Sequence, residues 1–304
     1  MEIARYSNHS CPQIGTEFRM NGELLLHPRT KKLVQVATAN LPHAVVLSGQ
    51  TGSGKGKLAK YISTTFLDIN ESQLGTEPRI LQITPDSDTI GIEQSRSIQK
   101  HLKLKQVGKL DRRVVVIYNS SKLTLEAQSA LLKLLEEPPD NVLFILTTEE
   151  VTQLLPTIAS RVQHIPVLPL TQNQVEEYYL KQKIDQDKSQ QDFLISAGLA
   201  DFITDTDLMK ARREEINFAK TWLKSSTYDR LLINSQISND NIRGFISSLL
   251  FLYKNGLETS SKTNKTSKVI KKWHSGGKML VSTIKNLNSH PNQKLLLTNL
   301  AIQL

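Results

Sequence analysis

The chain has 304 residues, 38% hydrophobic and 22% charged, with 38 Lys and Arg against 29 Asp and Glu for a formal net charge of +9. That length suits about two domains and at least one substantial core, so a single all-α or all-β unit is not expected. The one cysteine, Cys11, excludes an intrachain disulfide and a multi-cysteine zinc site, the seven histidines show no ligand spacing, and no apolar run approaches the 18 residues of a membrane span. No metal site and no zinc are expected. The opening MEIARYSNHS has neither the basic start nor the apolar core of a secretory signal, which gives the expectation of a cytoplasmic protein with no membrane contact.

Residues 1–29 offer few period signals. Thr30 to Ala39 then spaces its apolar residues as a short amphipathic helix, and Ala44 to Leu47 is an apolar strand. Gly49 to Lys55 reads G-Q-T-G-S-G-K and opens into a helix reaching Ile62. In this skeleton Gly49, Gly52 and Gly54 let backbone N–H groups curl around phosphate oxygens, and Lys55 supplies charge. Position 56, where the pattern has a Ser or Thr hydroxyl for Mg²⁺, is Gly56. A loop of this kind holds phosphate but is poorly equipped to orient it for transfer.

Asn70 to Pro78 breaks the pattern, Arg79 to Thr84 is a strand candidate, and Ile90 to Leu104 has a rough helical repeat. A polar connection, Gly108 to Arg113, leads to Val114 to Ile117, an apolar run of the kind found in strands buried on both faces. Thr124 to Glu137 is the clearest helix, capped by Thr124, with Ala127, Ala130, Leu131, Leu134 and Leu135 as its apolar stripe and Pro138 and Pro139 at its end. Asn141 to Thr148 is the next buried strand. Strands alternating with helices up to about Leu170 predict a parallel sheet covered on both sides. Beyond it Gln172 to Gln182, Asp192 to Ile203, Leu208 to Leu223 and Lys294 to Ile302 read as helices. A three-part chain is expected, with an α/β domain over 1–169, a small helical domain over 170–218 and a second helical domain over 219–304. From Asn241 onward ten Lys and Arg face one acid, Glu258. Gly256 to Lys268, rich in Ser, Thr and Lys, reads as a solvated loop, which is the plainer account of this basic stretch beside one of contact with DNA or an acidic partner.

Three blocks are family-specific. L-T-L-E-A-Q-S-A-L-L-K-L-L-E-E-P-P at Leu123 to Pro139, the following N-V-L-F-I-L-T-T, and L-L-P-T-I-A-S-R-V at Leu154 to Val162, together with the phosphate loop, resemble the clamp-loader branch of the AAA+ ATPases, above all the delta-prime subunits of bacterial DNA polymerase III. The resemblance implies an AAA+ P-loop domain with a helical lid and a C-terminal helical collar that assembles a hetero-oligomer for DNA replication. It implies as partners the gamma/tau and delta subunits, and the sliding clamp and primer-template DNA through the assembled complex. In active relatives Asp and Glu follow the strand corresponding to Val114 to Ile117, whereas this chain has Tyr118 and Asn119, and neither supplies a carboxylate to anchor Mg²⁺ or polarise water. An arginine of active relatives, three residues past the glycine that opens the lid, aligns with Asp201 after Gly198. Thr147 or Thr148 takes the place of the polar sensor.

With Gly56, these losses imply a subunit without hydrolysis of its own, while residual binding of ATP or ADP through Gly49, Gly52, Gly54 and Lys55 is left open. An active motor subunit of the gamma/tau type, or another P-loop enzyme with unconventional metal ligands, is the alternative. What persists is Ser160-Arg161. In the family this motif sends its arginine across the subunit boundary to the γ-phosphate of the neighbouring ATP, a role worth 10³ to 10⁵ in rate, or about 4–7 kcal/mol. Val162 replaces the family's Cys. The cysteine zinc module of many relatives is absent from Thr65 to Arg79.

Overall fold

Side-chain alternation along the strands decides the architecture. In β1 (Ala44–Ser48), Ala44 and Val46 join one apolar cluster while Val45 and Leu47 join another. β3 (Arg113–Ile117) and β4 (Val142–Thr148) divide the same way, and both are buried along their whole length. A strand buried on both faces needs a helical layer on each side. α1 (Pro28–Ala39) and α2 (Lys55–Leu67) supply one through Val34, Ala37, Leu58, Ala59 and Ile62. α3 (Ile92–Lys103), α4 (Leu125–Glu136) and α5 (Pro156–Ala159) supply the other through Ile98, Ala127, Leu131, Leu135 and Ile158. With β2 (Ile80–Ile83) and β5 (Gln163–Pro166) the sheet has five parallel strands in the order β2-β3-β4-β1-β5. The computed structural model describes residues 24–40, 42–86, 89–103, 112–262, 267–287 and 292–304. Cys11, Leu41, Leu104 and residues 108–111 of the expected polar connection lie outside them.

After β5 the chain is helical. α6 (Gln172–Lys181) starts at a Thr171 capping box, followed by α7 (Gln186–Ser196), α8 (Ala200–Thr204), α9 (Thr206–Lys224), α10 (Thr227–Gln236), α11 (Asn239–Lys262), α12 (Ser267–Asn286) and α13 (Gln293–Gln303). The chain forms two compact units: one runs to Gln190 and includes Ala197–Thr204, and the other joins Gln191–Ser196 to Asp205–Leu304. In the second unit Trp222 of α9 is fully buried, and its indole N–H donates to Asn234 Oδ1 of α10 at 3.0 Å. The Asn234 amide in turn donates to the Leu297 carbonyl of α13 at 2.9 Å.

Two sequence expectations fail. Asp192 to Ile203 is not one helix, because Ala197 and Gly198 take positive φ values of 52° and 75° and separate α7 from α8. Gly198 accepts a hydrogen bond from the Leu170 N–H at 2.7 Å, and a Cβ on it would stand 2.4 Å from the Leu170 carbonyl oxygen, a spacing only glycine meets. Gly256 to Lys268 is not a solvated loop either. Gly256 to Lys262 continue α11, and Ser267 and Lys268 open α12, with residues 263–266 outside the described ones. Its polar composition conceals a packed seam, in which Gly256 lies against the Trp273 ring, Gly276 lies against the Tyr253 ring, and the two rings meet edge to face at 4.9 Å.

Candidate functional site

The parallel register aligns the carboxyl ends of β3, β4 and β1. Ser48 pairs with Thr148 and Ile117 with Leu146, so the segments leaving these strands start side by side, where α/β sheets place their ligands. The phosphate loop leaves β1 there. The Gly49 N–H donates to the Thr148 carbonyl at 3.2 Å, Gly54 is the N-cap of α2, and Lys55 is its first residue. The Lys55 ammonium folds back on the loop, donating to the carbonyls of Gly49 at 2.5 Å and Gln50 at 2.8 Å. Burial pulls its pKa below the ordinary lysine value, against the opposing fields of Glu149 and Asp201. Glu149 is fixed in turn by a 2.7 Å hydrogen bond from the Thr51 hydroxyl.

Tyr118 and Asn119 follow β3 directly. Asn119 adopts a left-handed conformation, φ 51° and ψ 51°, and its N–H donates to Thr147 Oγ1 at 3.0 Å, while the Ser120 hydroxyl donates to the Thr147 carbonyl at 2.9 Å. Tyr118 is half-buried against the cluster on the α1–α2 side, and burial raises its phenol pKa. This chain places no carboxylate at those two positions. Thr148 turns away from the loop, its hydroxyl 3.0 Å from the Glu150 carbonyl and 3.1 Å from Gln153 Oε1. Gly56 faces open space in the first turn of α2.

α8 lies on the loop. The Asp201 N–H donates to the Gly52 carbonyl at 2.9 Å, and its carboxylate accepts from the Gly54 N–H at 3.2 Å and pairs with the Lys57 ammonium at 3.4 Å. Lys57 also donates to the Thr204 hydroxyl at 2.6 Å. Gly52, at φ +85°, backs onto the Phe202 ring, which a Cβ would meet at 2.7 Å, and the Ala200 methyl stands beside Gly54. A nucleotide phosphate does not fit this arrangement, since a loop amide is already taken by a carboxylate, the lysine is turned to its own loop, and an aromatic ring covers the glycine turn.

Arg161 stands elsewhere. It precedes β5, whose Gln163 pairs with Val45 near the start of β1, and so lies toward the opposite edge of the sheet from the loop. One guanidinium nitrogen donates to the Thr157 carbonyl at 2.9 Å and, more weakly, to the Ser160 hydroxyl at 3.4 Å, and the other pairs with Glu136 at the end of α4 at 3.0 Å. Gly49, Gly52, Gly54, Lys55 and Gly56 thus gather with Tyr118 and Asn119 at one edge, and Arg161 is displayed at the other. The sequence reading missed Glu149 and Phe202 as loop neighbours and took Asp201 only as a missing arginine. No local signal gives these contacts, because the helix break at Gly198 that sets α8 on the loop depends on Leu170.

Among the described residues no group of three His, Cys, Asp or Glu could hold a metal ion, and no helix is long and apolar enough to cross a membrane. Residues 28–171 match the family model described as DNA polymerase III, delta subunit. The chain is 27% identical over 174 residues to the DNA polymerase III subunit delta' of Bacillus subtilis, covering 52% of this chain and 53% of that one. It is 33% identical over 154 residues to the delta' subunit of Escherichia coli, covering 45% and 46% respectively. The matched segment therefore spans about half the length of these curated relatives. In fold the chain resembles a DNA polymerase III gamma subunit-related protein of Thermotoga maritima, with a TM-score of 0.56 over 90% of this chain and 97% of that one at 18% identity.

Proposed function

We propose that the chain, which over residues 28–171 matches the DNA polymerase III delta subunit family and is similar to delta' subunits, is a delta-prime-like subunit of a clamp loader, which does not hydrolyse ATP itself but completes the ATP site of a neighbouring subunit during sliding-clamp loading. The observation that carries this reading is the end of β3, where Tyr118 and Asn119 stand in place of the acids that anchor Mg²⁺ and polarise water. Support of a second kind comes from Arg161, a guanidinium on the short turn between α5 and β5, presented on the surface and away from the chain's own phosphate loop. On this reading the chain divides into an AAA+ domain to residue 169, a lid to 218 and a collar to 304, and the collar joins it to gamma/tau and delta subunits. The sliding clamp and primer-template DNA are met through that assembly.

The test is a loader reconstituted with gamma/tau-type and delta subunits, its ATP turnover measured with parent, Arg161→Ala and Lys55→Ala chains. Arg161→Ala should assemble normally and slow turnover at the adjacent site by 10³ or more. Lys55→Ala should leave turnover unchanged. Turnover indifferent to Arg161, or sustained Mg-dependent hydrolysis by the isolated chain that Lys55→Ala abolishes, would refute the proposal.

A further inference from the structure

We infer that α8 is a built-in occupant of the phosphate loop, its Asp201 carboxylate holding a loop amide that a phosphate oxygen would otherwise take, so that a polyphosphate binds only in competition with it. The inference depends on reading Gly49 to Lys55 as a phosphate loop and not on the clamp-loader role. Backbone amides at the start of a helix attract anions, and the Gly54 N–H at the start of α2 already has one in Asp201. Lys57 neutralises that carboxylate from α2 itself and reaches Thr204 at the far end of α8, so both ends of the short helix are tied to the segment they cover. Phe202 seals the turn at Gly52.

A second observation points to a ligand that this carboxylate replaces only in part. The Ser53 hydroxyl, inside the loop, is 2% exposed, has no hydrogen-bond partner, and stands 3.0 Å from where a Gly49 Cβ would be. Buried hydroxyls are ordinarily satisfied, so the loop retains a polar demand that one carboxylate does not meet and a multi-oxygen phosphate chain would. The covering element follows a turn, because α8 is preceded by the positive-φ pair Ala197 and Gly198, and the Gly198 carbonyl accepts from the Leu170 N–H. The ligand class is a polyphosphate, either inorganic or the tail of a nucleotide. Its apparent affinity is the intrinsic one scaled by the fraction of molecules in which α8 has withdrawn.

Asp201→Ala tests this in the full chain by isothermal titration and thermal shift with tripolyphosphate, ADP and ATP. The variant should bind tripolyphosphate at least about tenfold more tightly than the parent, and adding Lys55→Ala should remove the gain. ATP binding no better than tripolyphosphate identifies a site for the phosphate tail alone, and ATP binding more tightly identifies a nucleotide pocket, and either agrees with the inference. Asp201→Asn, which keeps the shape of the side chain and removes its charge, guards against a loss of folding and should show the same direction of change. Equal binding by parent and variants, or a gain that persists without Lys55, overturns the inference. The Arg161→Ala result in the assembled loader is independent of this binding, so either conclusion can fail without the other.

Discussion

Asn234→Ala removes one amide group and breaks a side-chain link that runs in series from α9 through α10 to α13. Trp222 and Asn234 are 0% and 5% exposed, so the indole N–H and the Leu297 carbonyl both lose a partner in a place that water reaches poorly. Each stranded polar group costs about 1–3 kcal/mol, so the expected loss for the two is about 2–6 kcal/mol. The flanking contacts limit the damage. Arg230 continues to stack on Trp222 at 4.8 Å and to donate to the carbonyls of Trp222 and Leu223, which holds the end of α9 in place. Urea unfolding followed by tryptophan fluorescence is the fitting assay, because both tryptophans of the chain, Trp222 and Trp273, lie in the second compact unit and report on it alone. With a slope of about 2 kcal/mol/M the midpoint should fall by about 1–3 M. A loss below about 0.5 kcal/mol would show that the two groups find other partners, and the argument from burial and satisfaction would be wrong.

Two further outcomes follow from single contacts. Gly276→Ala puts a methyl group 2.2 Å from the Tyr253 ring in the α11–α12 seam and should cost about 1–3 kcal/mol in the same fluorescence assay, with Tyr253→Leu in the same chain restoring part of it. Glu136→Ala frees Arg161 from an exposed pair and should change stability by less than about 1 kcal/mol; in a reconstituted loader it should leave turnover the same or raise it by up to about fivefold, whereas a fall would mean that Glu136 orients the arginine for use.

The α/β half of the fold was legible in the sequence because its signals are local and redundant. Val114 to Ile117 and Asn141 to Thr148 can only be strands buried on both faces, and Thr124 with Ala127, Leu131 and Leu135 writes both the cap and the buried stripe of α4. β5 was not singled out, since four residues at a sheet edge with one buried side chain, Ile165, carry almost no pattern. The helical half was harder. In α11 and α12 the decisive contacts are glycines against aromatic rings, and composition alone makes Gly256 to Lys268 look like solvent-facing loop. At the site, motif spacing brought the phosphate loop residues into view, as did the two positions after β3. It could not give the contacts of Asp201 and Phe202, which stand about 150 residues from the loop in sequence, because long-range placement of a five-residue helix depends on a turn whose geometry is enforced by another segment.

The two charged side chains that matter most to the proposed role are held with different firmness, and the difference runs in the direction that role requires. Arg161 is tied to Glu136 across a pair whose side chains are 37% and 43% exposed, an interaction worth at most about 1 kcal/mol in water, while stabilising developing charge on a neighbour's phosphate is worth about 4–7 kcal/mol. Leaving Glu136 therefore consumes only a small part of what the arginine can contribute in trans, and the tether costs the proposed function little. Asp201 is bound instead by a backbone amide, an ammonium and its own N–H, beneath an aromatic ring that closes the same turn. Several linked contacts must open together before a phosphate can reach the loop, whereas the arginine reaches out by leaving one exposed ion pair and exposed hydrogen bonds to its own turn at Thr157 and Ser160. These contacts suit the proposed action on a neighbour's phosphate better than the holding of one by this chain's own loop.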